Sequence, residues 1–496
     1  MAVPGSSSYD DDTSPLVGTG DANHAEDEVP NYHGISWGKM SSFQEFSERL
    51  SHHLGQIGYL GSISIAVNSL TGPAMLHLPD TYQRAGFIPT TFTLIFVAIL
   101  SALCCLHMSN TISKVDGNSN YKKEVEYSET FEKFWGHKHF LFTQVLFFCC
   151  VTCLNVSSIV DTAQVVDTVL GHLVKDGSAA LNIYWDYRLR IDFVRWDYSL
   201  CPEELITSGE CHPFYEDQGL LFTLGYAITF IVFFPMALMD LKENAAWQIL
   251  GFVVLLLSSI AFLFLFLSEG IHVEYLSLWG ESWNSLFGVI LFNYALVIAV
   301  PAWLYEKEPS VKVGTVVNGA SILSTILYVL IGGLGAMTIP HASQNMLNSM
   351  MSGAFGLTMQ ICASIFAFFI IGLGCPLFSV LTRMNLSGRG AMSIPMANSL
   401  AVYLPFTMSW LFYSGDAITQ LLSWGGMLFT TLVAFILPLL IALHTIEETD
   451  AEGSVSVYGR WESKIASKSA QKKALYVLLF LSCLASLAAL VGNIIN

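Results

Sequence analysis

Charge is what this sequence has least of. Asp, Glu, Lys and Arg make up 12% of its 496 residues, against 53% hydrophobic, where a soluble domain carries about a quarter charged. That scarcity excludes an ordinary soluble fold. Basic clusters are also missing, so there is no electrostatic footprint for nucleic acid. The ten cysteines lack metal-ligand company: no His or carboxylate interleaves with Cys149, Cys150 and Cys153, so no zinc-type spacing forms and no metal is expected. With Cys104, Cys105, Cys362, Cys375 and Cys483 they lie in apolar runs, as small core residues do. There is no nucleophile elbow and no phosphate-cradling loop, so neither an enzyme nor a cofactor is expected. No filter-like repeat or charged ring points to a channel. No amino-terminal signal peptide is read, and the first apolar span is expected to serve as the targeting signal.

What the sequence has in abundance is apolar stretches long enough to cross a bilayer, about 20 residues each. They fall near 57–79, 87–113, 139–170, 219–239, 245–268, 285–305, 314–338, 353–381, 391–413, 415–444 and 474–495. The fold class is therefore an all-α polytopic membrane protein of about eleven transmembrane helices. The division between the ninth and tenth spans rests on Gly415-Asp416 alone. Residues 1–54, rich in Gly, Ser, Asp and Glu, read as a disordered acidic tail. Residues 55–445 form a ten-helix core, 446–473 a loop, and 474–496 the eleventh helix. With the tail placed in the cytoplasm, seventeen of the 22 basic residues fall on that side, as the positive-inside rule requires. The loop at 172–218 then lies outside or in a lumen. Its Cys201 and Cys211 are the cysteines set in a polar stretch, and a disulfide between them is the natural expectation on that side. The sequence leaves plasma membrane and vacuolar or lysosomal membrane equally open.

Several polar residues interrupt the apolar runs. In the first span, Thr71-Gly72-Pro73 sits near mid-membrane with Asn68 and Ser69 just before it. Proline removes a backbone donor and clashes with the preceding turn, and glycine is the most permissive neighbour. A helix break in the bilayer survives only where it lines a cavity. Such breaks mark transporter binding sites. Asn68 serves either such a site or a helix–helix hydrogen bond. Asp80 and Arg84, spaced i,i+4 at the far end, are either a gate pair or an exposed ion pair. In the third span Asp161 is a carboxylate within an apolar run, a proton-coupling candidate unless it already reaches the interface. The sixth span carries Phe292, Asn293 and Tyr294 in mid-run, with Pro301 following. Spans one and six occupy equivalent places in two five-span halves. Corresponding breaks are what a five-plus-five inverted repeat predicts. Glycines in spans seven and eight read as close-packing and kink sites.

The stretch 68–90, NSLTGPAMLHLPDTYQRAGFIPT, resembles the first-span signature of the amino acid/auxin permease family, with Gly72, Leu76, Pro79, Tyr82 and Gly86 on its pattern. Glu306-Lys307-Glu308-Pro309 after span six, and Pro376 with Arg383 in span eight, fit the same resemblance. It implies eleven helices, the first ten an inverted repeat, and amino acid transport driven by H⁺ or Na⁺. Two features depart from the family. Span six has Asn293-Tyr294-Ala295 where a glycine is usual. Gly372 to Cys375, with no hydroxyl, precede Pro376 where sodium-dependent branches place one. Losing that hard oxygen ligand favours H⁺ over Na⁺. The expected substrate contacts are Asn68, Ser69, Thr71, Gly72 and Pro73 with Phe292, Asn293 and Tyr294. The expected partners are an amino acid and membrane lipid. The rivals are a Na⁺-coupled symporter and an amino acid sensor that signals through residues 1–54.

Overall fold

The computed structural model describes residues 56–71, 73–186, 188–202, 213–214, 219–284, 286–342, 345–351, 355–413, 427–448, 455–459 and 467–495. The expected tail at 1–54, Gly72, Cys211 and the Gly415-Asp416 division lie outside them. Among the described residues, eight helices are long and apolar enough to cross a membrane. Two shorter apolar helices, Tyr59–Leu70 and Leu224–Ala237, join them. The chain is an all-α polytopic membrane protein.

Span one is Tyr59–Leu70, a 3₁₀ turn at Pro73–His77, and Leu78–Ala85. Spans two and three are Phe87–Ser113 and His137–Leu173, spans four and five Leu224–Ala237 and Leu241–Glu269. Span six is Leu286–Asn293, a 3₁₀ turn at Leu296–Ile298, and Val300–Glu306. Span seven is Val313–Thr338 and span eight Gly356–Ser387, the latter wound wider at Ala367–Ile371. Span nine runs through short helical segments over 394–412. Met427–Glu447 and Lys468–Ile495 are spans ten and eleven. Large apolar side chains such as Phe92, Ile99, Leu257, Phe264 and Phe480 are exposed. In a bilayer these faces meet lipid, at no hydrophobic penalty.

The packing has a twofold pattern. Span one lies against spans five and seven, and span six against spans ten and two. Spans two and ten pair, as do seven and five. Span three packs on four, and span eight on nine. Exchanging each span of the first half with the span five places on reproduces these neighbours. The backbone fixes the relative direction of spans one and six. Ile57 N donates to Glu306 O at 2.8 Å and Glu308 N to Ile57 O at 3.0 Å, so the start of span one is clipped to the end of span six. At the other end Gly280 N, before span six, donates to Ala85 O at the end of span one at 2.9 Å, so the two interrupted helices run antiparallel, as an inverted repeat requires.

Within the expected 172–218 loop the chain forms an antiparallel hairpin, β1 Ser178–Asp186 with β2 Arg188–Trp196. A third strand, β3 Leu220–Thr223, pairs on the other side of β1 and leads directly into span four. Span four thus begins later than its apolar run suggests, because the β-prone Leu-Leu-Phe-Thr segment finds a strand partner. Asp167 ties this sheet to the helices. It is fully buried and accepts from Ser178 Oγ at 2.6 Å, Gly225 N at 2.7 Å and Tyr413 Oη at 2.5 Å.

Between spans two and three, Glu126 and Glu129 cap the helix Tyr127–Trp135 and are both buried. Burial pushes the Glu126 carboxyl well above the ordinary glutamate range, and Glu124, Glu129 and Glu306 push it further. At low pH the folded and unfolded chains both hold this proton. As pH rises past about 4.3 the unfolded chain releases it while folded Glu126 retains it, so stability falls until the folded value is reached. The expected result is an apparent melting temperature in detergent that declines above that pH and flattens in Glu126→Gln. An unchanged pH profile in that variant would show that Glu126 contributes nothing to it.

Candidate functional site

Each interruption follows from local chemistry. At span one the helix ends on Leu70, and Thr71 leaves helical backbone at φ −89°, ψ 56°. Pro73 then opens the 3₁₀ turn, a position where its missing N–H costs nothing. At span six the first helix ends on Asn293, and Pro301 opens the second half rather than the break. The turn Pro73–His77 packs against span three, the first half of span six, and span seven. The structure thus brings the span-one break against spans six and three.

The carbonyls freed at the two breaks share one residue. Tyr328 Oη, from the middle of span seven, donates to Leu70 O and lies 3.5 Å from Asn293 O. The next carbonyl, Tyr294 O, accepts from Ser101 Oγ of span two at 2.7 Å. The Tyr294 hydroxyl is 2.6 Å from Thr325 Oγ1, and its ring meets that of Tyr328 edge-on at 5.5 Å. Tyr328, Ser101 and Thr325 bond at the two breaks, and the sequence reading did not single them out. Ser101 and Tyr328 are set in apolar runs and their partners lie 193 and 258 residues away, so no local signal marks them.

The asparagines on the two broken helices are placed alike. Asn68 is buried, and its Nδ2 donates to Gln248 O and Gln248 Oε1, both at 2.8 Å. Gln248 in turn donates to Asn244 Oδ1 and Leu373 O, joining span one to spans five and eight. Asn293 Nδ2 donates to Val289 O at 3.1 Å, one turn back. In both residues Oδ1 is buried with no hydrogen-bond partner. An unmatched buried acceptor costs about 1–3 kcal/mol.

The other expected residues fall as follows. Ser69 and Thr71 turn their hydroxyls back onto their own helix, to Ile65 O at 2.7 Å and Val67 O at 2.9 Å. Pro73 contributes its backbone to the turn, and Phe292 is buried in the last turn before the break. Asp161 is half-buried and accepts from Ser157 Oγ at 3.0 Å. Farther along the same bundle Asn155 Nδ2 donates to Ser379 Oγ at 2.8 Å, linking spans three and eight. Asp80 and Arg84 do pair, Nε to Oδ1 at 2.7 Å, with the arginine side chain 46% exposed. Exposure on that scale limits such a pair to well under 1 kcal/mol. Cys201 is disulfide-bonded, and its expected partner Cys211 lies outside the described residues.

Comparison with curated proteins gives no match. Residues 56–184, about a quarter of the chain, match the model of the tryptophan/tyrosine permease family. The matched stretch holds the span-one break, Asn68, Asp80, Arg84 and Asp161, while span six lies beyond it. Over spans one to three the chain is similar to a family of amino acid permeases, which supports an amino acid transporter rather than an enzyme.

Proposed function

We propose that the chain is a secondary active amino acid transporter of the amino acid/auxin permease type, working by alternating access and coupled to H⁺. The observation that carries this reading is the pair of antiparallel interrupted helices, each with one buried, unmatched amide oxygen, Asn68 Oδ1 and Asn293 Oδ1. Two acceptors that the protein leaves unmet suit the ammonium group of an amino acid. Thr71 N bonds back to Val67 O, so a substrate carboxylate would be met by the backbone that follows it. Half-helix ends favour charge of the matching sign. Phe292, Tyr294 and Tyr328 supply aromatic walls. The name of the matched family makes tryptophan and tyrosine the first substrates to test.

For coupling, Asp161 on span three is the candidate proton carrier, a carboxylate with a single hydroxyl donor at 3.0 Å. The residues before Pro376 present no hydroxyl for sodium. The amino terminus is assigned to the cytoplasm on the distribution of Lys and Arg.

The test is uptake of labelled tryptophan, tyrosine and mixed amino acids into proteoliposomes under an inward pH gradient or an inward Na⁺ gradient. Uptake should follow the pH gradient and ignore Na⁺, and Asp161→Asn should remove the pH dependence. Uptake that needs Na⁺ overturns the ion assignment. Binding without flux under either gradient overturns the carrier in favour of a sensor.

A further inference from the structure

In a membrane helix a buried serine or threonine commonly bonds back to the carbonyl one turn earlier. Span three does so at Thr143, Thr162 and Thr168, which donate to His139 O at 2.8 Å, Ser158 O at 2.6 Å and Gln164 O at 2.7 Å. Two hydroxyls of the same helix do not. Thr152 Oγ1 and Ser158 Oγ are buried without a hydrogen-bond partner, and so is the amide oxygen of Asn155 between them. The three stand at every third position, and Asp161 is the next. Neighbours at this spacing adjoin on the helix surface, with Cβ atoms about 5–6 Å apart. Two hydrogen bonds of about 2.7–2.8 Å through one water oxygen span the same distance. From Asp161 to Thr152 the row covers about 14 Å of helix, toward the start of span three.

Span eight covers the row. Asn155 Nδ2 donates to Ser379 Oγ at 2.8 Å. Gly374 faces Ser158, and a Cβ there would lie 3.1 Å from Ser158 Oγ, so glycine leaves the hydroxyl its room. Cys375, fully buried, is a titratable side chain that faces Asp161 from span eight. On span three Ser157 Oγ donates to Asp161 Oδ2 at 3.0 Å, while Asp167, six residues on, is committed to Ser178, Gly225 and Tyr413. The residue before Gly374 joins the row to the broken helices. Leu373 O accepts from Gln248 Nε2 at 3.1 Å, and Gln248 holds the Asn68 amide.

We propose that Thr152, Asn155, Ser158 and Asp161 bind a file of water between spans three and eight, and that this file carries the coupling proton from Asp161 toward the start of span three. The proposal rests on Asp161 as the proton carrier. In each transfer the carboxyl O–H bond breaks as an O–H bond forms on the adjacent water. That water passes another of its protons to the next oxygen, so Asp161 returns to carboxylate and one proton leaves the far end. A hydroxyl suits this task because it accepts from one water while donating to the next. The Asn155 oxygen anchors the water beside it. Water in such a place needs two to four polar partners, which this row and Ser379 supply.

The test is deuterium exchange of one carboxyl proton, read without transport. Full-length protein in phosphatidylcholine nanodiscs is moved from H₂O to D₂O at acid pH. Infrared spectroscopy follows the carboxyl stretching band that Asp161→Asn removes. The proton should exchange readily in the parent and about tenfold more slowly in Ser158→Ala, the worth of one hydrogen bond. That change deletes an unmatched group, so the melting temperature should hold. Asn155→Leu should slow exchange likewise. Because it strands Ser379, Gly374→Ala, which presses a methyl group on Ser158 Oγ, replaces it if it does not fold. Exchange as fast in these variants as in the parent overturns the file and leaves Asp161 as the carrier. Absence of an Asp161 band at every pH overturns the carrier, and the file with it. Proteoliposomes then separate coupling from structure. The variants should lose pH-driven uptake by a similar factor and keep the exchange of labelled for unlabelled amino acid, which moves no net proton. Loss of both would make the row structural and overturn the route.

Discussion

Leucine in place of Asn293 is expected to cut amino acid uptake by about 10- to 140-fold while leaving the apparent melting temperature unchanged or higher. The magnitude follows from losing one hydrogen bond to a charged ammonium, about 1.5–3 kcal/mol, at 1.4 kcal/mol per factor of ten. The opposite sign for stability follows from the geometry. Asn293 is 2% exposed, its Nδ2 reaches Val289 O in its own helix, and its Oδ1 has no partner. Leucine fills nearly the same space and removes an unmatched acceptor that costs the folded state about 1–3 kcal/mol. Asn68→Leu is the contrast. Its amide holds both acceptors of Gln248, so the change strands buried polar groups and lowers stability along with uptake. Initial uptake rates in proteoliposomes and melting curves on the same preparations separate the two cases. Asn293→Leu with parental uptake would remove the residue from the site. A loss of both uptake and stability would make it a structural asparagine.

How much of this was legible in the sequence depends on the range of the interaction. Gly72-Pro73 announces the span-one break because proline and glycine act on their own backbone. Asn293-Tyr294 announces the second because polar residues in an apolar run are expensive. The antiparallel placement of spans one and six was implied by their equivalent positions in two five-span halves. The residues that finish the site were not legible. Tyr328 reaches back 258 residues to Leu70, and Gln248 meets Asn68 180 residues away, distances at which no pattern in one sequence pairs them. Asp167 is likewise completed from afar: its partners Gly225 and Tyr413 lie 58 and 246 residues on, and with Ser178 they hold it fully buried. The hairpin was also missed as structure. Leu189, Ile191 and Phe193 alternate as a strand should, but the run lay in a segment read only as a loop.

A single methyl group at Gly280 is expected to abolish most folded protein. The turn between spans one and two and the loop before span six are joined backbone to backbone. Gly280 N donates to Ala85 O at 2.9 Å, Ser282 N to Arg84 O at 3.1 Å, Phe87 N to Ser277 O at 2.9 Å and Ile88 N to Leu278 O at 3.1 Å. A Cβ on Gly280 would lie 2.0 Å from Arg84 O. One on Gly86 would lie 2.4 Å from Gly280 N, at a φ of +91° that side chains disfavour. Neither clash is with a side chain that can rotate away, so the strands of this clasp must part. The cost should exceed the usual overpacking penalty of about 1–3 kcal/mol, because four hydrogen bonds are lost with the fit. The clasp also joins the end of span one to the segment that enters span six, the two helices whose breaks form the proposed site. Gly280→Ala should therefore lose monodisperse protein and uptake together. Gly314→Ala is the control: a Cβ there meets nothing within 4 Å, its helical position gains from alanine, and stability should hold or rise. A Gly280→Ala protein that melts with the parent would mean that the loop yields freely, and that the two broken helices are not held at this end by the clasp.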